Sequence, residues 1–163
     1  MFDKFGEFDS VEELNEAAAG FVQEGDFESL YALARENGIE KEDVDDYLDD
    51  VTDELATLPM AVQGRLDIEE KEDVKDKMEK AAMSVIMLVL RGMCDSEEMQ
   101  KAVLKKGKRA KNILKEMRNE ASKYKNGNMA VACGTDRQLR AIIRSYYMDS
   151  DSDFKQKVAD LYK

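Results

Sequence analysis

Apolar residues recur along most of this chain at the spacing of one helical face. Val11, Leu14, Ala18, Phe21 and Val22 form a first stripe, and Phe27, Leu30, Tyr31 and Ala34 a second. Val44, Tyr47, Leu48, Val51 and Leu55 form a third, spaced i, i+3, i+4, i+7 and i+11. Ser10 with Glu13, Asp26, and Thr135 with Gln138 stand where helix N-caps are wanted. Asn37-Gly38 reads as a stop, because glycine accepts the left-handed conformation of a C-cap, and Ile39 suits the apolar contact that follows. The third helix is expected to carry the whole stretch EKEDVDDYLDDVTDE, from Glu40 to Glu54. Pro59 starts a short element at a first-turn position.

Further along, one long helix is expected over about 70–92. Its end, Ala81 to Leu90, is apolar nearly all round and should be the central core helix. Asp95 with Glu98 opens the next helix, which Gly107 breaks or bends after Lys106. The pattern resumes on Ala110, Ile113, Leu114, Met117 and Ala121. KNGN is a turn, DRQLRAIIRSYYM a helix, and FKQKVADLYK a last short helix. The expected fold is therefore all-α: a compact bundle of about seven to nine helices around residues 81–90. It is read as a single domain, 1–163, with an acidic helical subdomain at 1–58 and the core helix and basic helical part at 59–163.

Composition agrees with that reading: one Pro, nine Gly and 43 % hydrophobic residues suit a helical chain with a core. Ten Met, among them Met78, Met83, Met87, Met93 and Met99, are expected to fill gaps in it. The absence of His removes the commonest general base, any Ser-His-Asp arrangement and any His-containing zinc site. Cys94 and Cys133 stand apart, with no CxxC pair. No catalytic residue, metal site or cofactor is expected, so the chain reads as non-enzymatic. Asp43, Asp45, Tyr47, Asp49 and Glu54 mimic calcium-loop spacing, but Tyr47 is no ligand and Leu48 replaces the glycine of the sharp turn. MFDKFGEFDS lacks the basic start and apolar run of a signal peptide, and Ala81 to Leu90 is too short to cross a bilayer. A cytoplasmic protein with reduced thiols is expected.

Charge changes the picture more. The net charge is -11, but residues 1–70 carry 22 acidic and four basic residues, whereas residues 101–144 carry three acidic and 13 basic. On the expected third helix, Glu42, Asp43, Asp45, Asp46, Asp49, Asp50, Asp53 and Glu54 fill every position the apolar stripe leaves, except Thr52. Over roughly 18 Å of helix this is about one charge per 2.3 Å, against about one per 1.7 Å of duplex DNA axis. The like-charge pairs would cost roughly 2–4 kcal/mol of helix stability. A solvated solubility face would normally mix in Lys, so a surface imitating nucleic acid and binding a basic partner is the sharper reading. The counterpart is Lys105, Lys106, Lys108, Arg109, Lys111 and Lys115, followed by Arg137, Arg140 and Arg144 along one helical stripe. These could neutralise phosphates, or lie against the acidic face of the same or another copy. MAVACGTDRQLRAII is weakly similar to a helix-turn-helix, with Arg140 where that motif wants an aliphatic residue. With two poles so unlike, weak head-to-tail self-association at low salt is expected, with the poles at opposite ends.

The segments FDSVEELNEAAAGFVQEGDFESLYALARENGIEKEDVDDY, KKGK and RAIIRSYYMD resemble small acidic helical proteins of phages and conjugative mobile elements. Proteins of that origin resemble anti-defence proteins, and anti-CRISPR proteins are similar in size and acidity. The resemblance implies an inhibitor that binds a basic nucleic-acid enzyme, an RNA-guided nuclease by analogy, through the acidic face. The alternative is a nucleic-acid-binding accessory protein of a mobile element that uses the basic 101–144 segment.

Overall fold

A computed structural model of the chain describes residues 2–72, 77–124 and 134–162. Among them are nine α-helices and no strand. They are α1 (Val11–Glu24), α2 (Phe27–Glu36), α3 (Lys41–Leu48), α4 (Leu58–Glu72), α5 (Lys77–Arg91), α6 (Glu97–Leu104), α7 (Ala110–Lys123), α8 (Asp136–Met148) and α9 (Asp151–Asp160). The all-α expectation holds. The chain divides into two compact units, Met1–Glu72 with Val103–Gly107, and Asp73–Ala102 with Lys108–Lys163. The division falls after residue 72 rather than 58, because α4 belongs with the acidic part. From the sequence, unit 1 carries 23 carboxylates against seven cations, and unit 2 carries 13 against 18.

Unit 1 begins with an irregular N-terminal segment, tied to α2 where the Lys4 and Phe5 amides donate to the two oxygens of Glu36. Ser10 caps α1 by accepting from the Glu13 amide at 3.2 Å. Glu13 itself reaches the Asp9 amide, one residue before the capping-box partner. Asp26 caps α2 by accepting from the Ser29 amide at 3.0 Å, and the Ser29 hydroxyl and then that amide hold its carboxyl below the usual range. The helix ends at Asn37, Gly38 takes φ 69°, and the buried Ile39 closes back with its amide on Ala34. Phe27, expected in the α2 stripe, is 48 % exposed, and Leu33 is buried instead. The α1 Leu14 and Ala18, the α2 Leu30 and Leu33, and the α3 Val44 make this core.

α4 enters that core by backbone contact. A Cβ on Gly64 would lie 2.3 Å from the Asn37 carbonyl oxygen, and one on Gly38 would lie 2.5 Å from that of Gly64. Only glycine at both places lets α4 cross the α2–α3 turn. The buried face of α4 also carries charge. Arg65 Nε lies 2.8 Å from Glu69 Oε1, with the side chains 4 % and 0 % exposed. The same guanidinium is 3.5 Å from Glu7 and 4.8 Å over the Phe2 ring. Glu7 and Asp9 in turn accept from the Gly107 and Lys106 amides, fastening the turn after α6 onto the N-terminal segment.

Unit 2 packs α7 and α8 against α5, with α9 on α7 and α8. Its largest fully buried side chains are aliphatic: Met83, Met87, Leu90, Ile113, Ile142 and Ile143. Thr135 and Gln138 form the full capping box at the start of α8, and Ser150 caps α9. Tyr146 and Tyr147 are both buried, Tyr146 edge-on to Phe154 with centroids 5.0 Å apart. Two expectations fail on α5. It is buried on one face only, with Val85 53 % and Leu88 73 % exposed, and Met78 is 83 % exposed rather than core. The expected 70–92 helix is described as α4 and α5, and residues 73–76 between them lie outside the described residues. So do the expected KNGN turn at 125–128 and residues 129–133 of the helix-turn-helix stretch, Cys133 among them.

Candidate acidic interface

The acidic stretch is not one rod. α3 stops at Leu48, and Asp50 adopts the left-handed conformation at φ 56°. The Val51 amide donates to the Asp46 carbonyl and the Asp50 amide to Tyr47, the bond pair of a Schellman stop. Asp tolerates this conformation better than most residues, and ending the helix separates like charges that a third turn would have stacked. Val51 is therefore 68 % exposed in a loop, while Leu55 still reaches the core from outside any helix. The i+7 and i+11 members of the expected stripe were misassigned for this reason.

The loop is held in shape. Asn15 on α1 donates to the Ala56 carbonyl at 2.9 Å and accepts from the Ala56 amide at 3.1 Å, as a neighbouring strand would. Thr52 Oγ1 donates to the Glu54 carbonyl at 3.1 Å. With Leu55 and Ala56 buried behind it, the loop turns back along α3. Asp43 and Asp46 of α3 and Asp53 and Glu54 of the loop then line one half-open depression of about 400 Å³. A second hollow of about 430 Å³ shares Asp43 and Met60 with it and adds Glu40 and Asp67. Six carboxylates line the pair of hollows, and no cation lines either among the described residues. Glu40 and Asp67 were not expected in the site. Glu40 sits outside the counted helical face, and Asp67 is brought in from α4 by the glycine crossing.

The other expected acidic residues differ in role. Glu42, Asp49 and Asp50 are exposed but line neither hollow. Asp45 is occupied within the unit: Tyr31 Oη donates to one oxygen and Lys41 Nζ to the other, both at 2.5 Å. The Lys41 ammonium and then the Tyr31 hydroxyl hold the Asp45 carboxyl below the usual range, and the same bonds push Tyr31 and Lys41 up. No group of three or more carboxylate or thiol residues among those described converges enough to hold a metal ion. The hollows therefore suit several separate cations spread over a surface, such as lysine and arginine side chains.

The basic candidates are divided. Lys105 and Lys106 belong to unit 1, in the turn whose amides bond Asp9 and Glu7. Lys108 lies 4.7 Å over the Tyr146 ring and donates to the Tyr146 carbonyl at 2.6 Å. The Arg109 amide donates to the Tyr146 hydroxyl at 3.0 Å. Lys111 and Lys115 line an open groove along α7 with Arg118. Arg137, Arg140 and Arg144 are exposed on α8, where Arg140 pairs with Asp136 at 2.8 Å. The run Lys105 to Lys115 thus spans two units, not one helix face. No helix among the described residues is long and apolar enough to cross a membrane. Against family models, curated proteins and solved structures alike, the chain finds no match.

Proposed function

We propose that the protein is a non-enzymatic inhibitor that docks its unit 1 hollows onto the phosphate-binding surface of a basic nucleic-acid enzyme. One observation carries this: Asp43, Asp46, Asp53 and Glu54 face one depression, unaccompanied by any cation among its described lining residues. Carboxylates gathered this way repel one another, and a partner's Lys and Arg side chains relieve that repulsion. The imitation is of a phosphate patch rather than of a regular duplex, since α3 is two turns long. The anti-CRISPR resemblance suggests an RNA-guided nuclease as the first target to try, because such enzymes hold guide and target in a positively charged channel.

The test is competition. The protein should displace target DNA or guide RNA from such a nuclease, and its binding should weaken steeply as salt rises. The variant Asp43→Lys/Asp46→Lys/Asp53→Lys/Glu54→Lys should lose competition and keep its helicity. Asp45 is left alone because its contacts are internal. Unchanged competition by the variant defeats the proposal. A low-salt gel shift of duplex or RNA, lost when Lys105, Lys106, Lys108 and Arg109 are neutralised, would instead favour the accessory nucleic-acid binder.

A further inference from the structure

Unit 2 carries an exposed apolar strip on α5. Met78, Ala81, Val85 and Leu88 follow one another at 3, 4 and 3 residues along α5, the spacing of a helix–helix seam. Met78, Val85 and Leu88 are 83 %, 53 % and 73 % exposed. Beside the strip, Val85, Ala82 and Ile86 of α5 form one wall of an apolar slot of about 130 Å³, with Met117 of α7 and Leu139 and Ile142 of α8 opposite. Leu114 and Arg118 line this slot and also the open groove of about 430 Å³ that holds Lys111 and Lys115. Apolar strip, slot and basic groove are thus continuous within one unit. Glu79 is the only carboxylate lining either hollow among the described residues, and it pairs with Arg118.

We propose that this surface docks an acidic amphipathic helix of a partner protein. The partner's aliphatic residues would lie along Val85 and Leu88, with one entering the slot, and its carboxylates would meet Lys111, Lys115 and Arg118. Exposed apolar area supplies the attraction, and the cationic rim selects the sign of the partner's charge. The same rim opposes an antiparallel pair of copies, in which two-fold pairing through α5 would set the Lys111, Lys115 and Arg118 edges of both copies side by side. It also opposes a basic helix, because three cations against one carboxylate leave the groove lining net positive among the described residues.

A direct test uses the full-length protein and a fluorescein-labelled synthetic peptide of about 20 residues, with Leu at a and d positions and Glu at most others. Controls are the same peptide with Lys for Glu, one with the leucines scrambled, and single-stranded (dT)15. Fluorescence anisotropy should show saturable binding of the acidic peptide only. Val85→Glu and Leu88→Glu should each weaken it about tenfold or more, and Lys115→Glu about threefold to tenfold. Both apolar positions are exposed, so thermal melts of these variants should match wild type. The proposal is overturned if the Lys peptide binds as well, if (dT)15 binds more tightly and is lost in the Lys115 variant, or if no probe binds. It is also overturned if light scattering finds a dimer that Leu88→Glu turns into monomer, since a second copy is then the occupant.

Discussion

Unit 1 puts a guanidinium and a carboxylate among its buried side chains and spends its surface on acid. Unit 2 keeps an aliphatic and aromatic core and carries a net excess of cations. The difference has a physical cost. Arg65 and Glu69 are each almost wholly out of water, in a buried charge cluster that also takes in Glu7, so removing one member unbalances the rest. The buried Glu120 of unit 2 also reaches an ammonium, that of Lys123 at 2.5 Å, but there the lysine stays 64 % exposed. A core built on a charge pair depends on specific partners, whereas one built on Ile142 and Ile143 depends on volume.

The largest effect should come from cutting the pair. Arg65→Ala is expected to cost about 3–5 kcal/mol in urea unfolding. An apolar double replacement, Arg65→Met with Glu69→Leu, should recover part of that loss, since Glu7 keeps its bond from the Gly107 amide but loses the guanidinium. In unit 2, Ile143→Ala should cost about 2–5 kcal/mol with no such rescue by a second change. If Arg65→Ala costs under about 1 kcal/mol, the contrast between the two cores collapses. Next in size is Asn15→Ala, which removes both bonds to Ala56. A loss of about 1–3 kcal/mol is expected, with new protease cleavage between residues 49 and 57.

Smaller and pH-dependent is Asp45, whose carboxyl is held down by Lys41 and Tyr31. A lowered folded-state pKa gives stability that is present above the unfolded carboxylate value of about 3.9 and is lost as pH falls through the lowered one. Wild type should therefore lose stability below about pH 4 more steeply than Asp45→Asn, as urea midpoints across that range will record. Equal slopes would show that the contacts do not persist in solution. Smallest is a reactivity difference with no effect on folding. Burial pushes the Cys94 thiol up to about 11, and its Sγ donates to the Leu90 carbonyl. Against an ordinary thiol near 9.0, the thiolate fraction at pH 8 falls roughly a hundredfold, so alkylation there should be slow.

Much of the fold could be read from single residues. Ser10, Asp26 and Thr135 mark helix starts because a side-chain oxygen before an apolar stripe has one main use. Gly38 followed by Ile39 marks a stop for a similar reason. Reading failed where tertiary contacts decide. Val51 and Leu55 continue the α3 periodicity, yet Asp50 turns the chain and Asn15 captures the loop. A lone Asn on α1 carries no signal of a partner 41 residues away. The exposed α5 strip was hidden because an all-apolar run looks the same whether its last face is covered or open. Within the acidic site, residue type was legible but grouping was not. Asp43, Asp46, Asp53 and Glu54 meet across a turn, while Asp45 on the same helix is claimed by Tyr31.

The crossing of Gly38 and Gly64 also has a use outside the molecule. Charged surface residues can drift without harm to the fold, so acidity is a poor marker of kinship. The crossing cannot drift in that way. Any chain that lays α4 over the α2–α3 turn at this distance needs a residue without Cβ at both points, 26 positions apart and on either side of an acidic helix. A distant relative whose overall identity has faded would still show those two glycines in that frame. Replacing either with alanine in this protein would measure how strictly the signature is enforced.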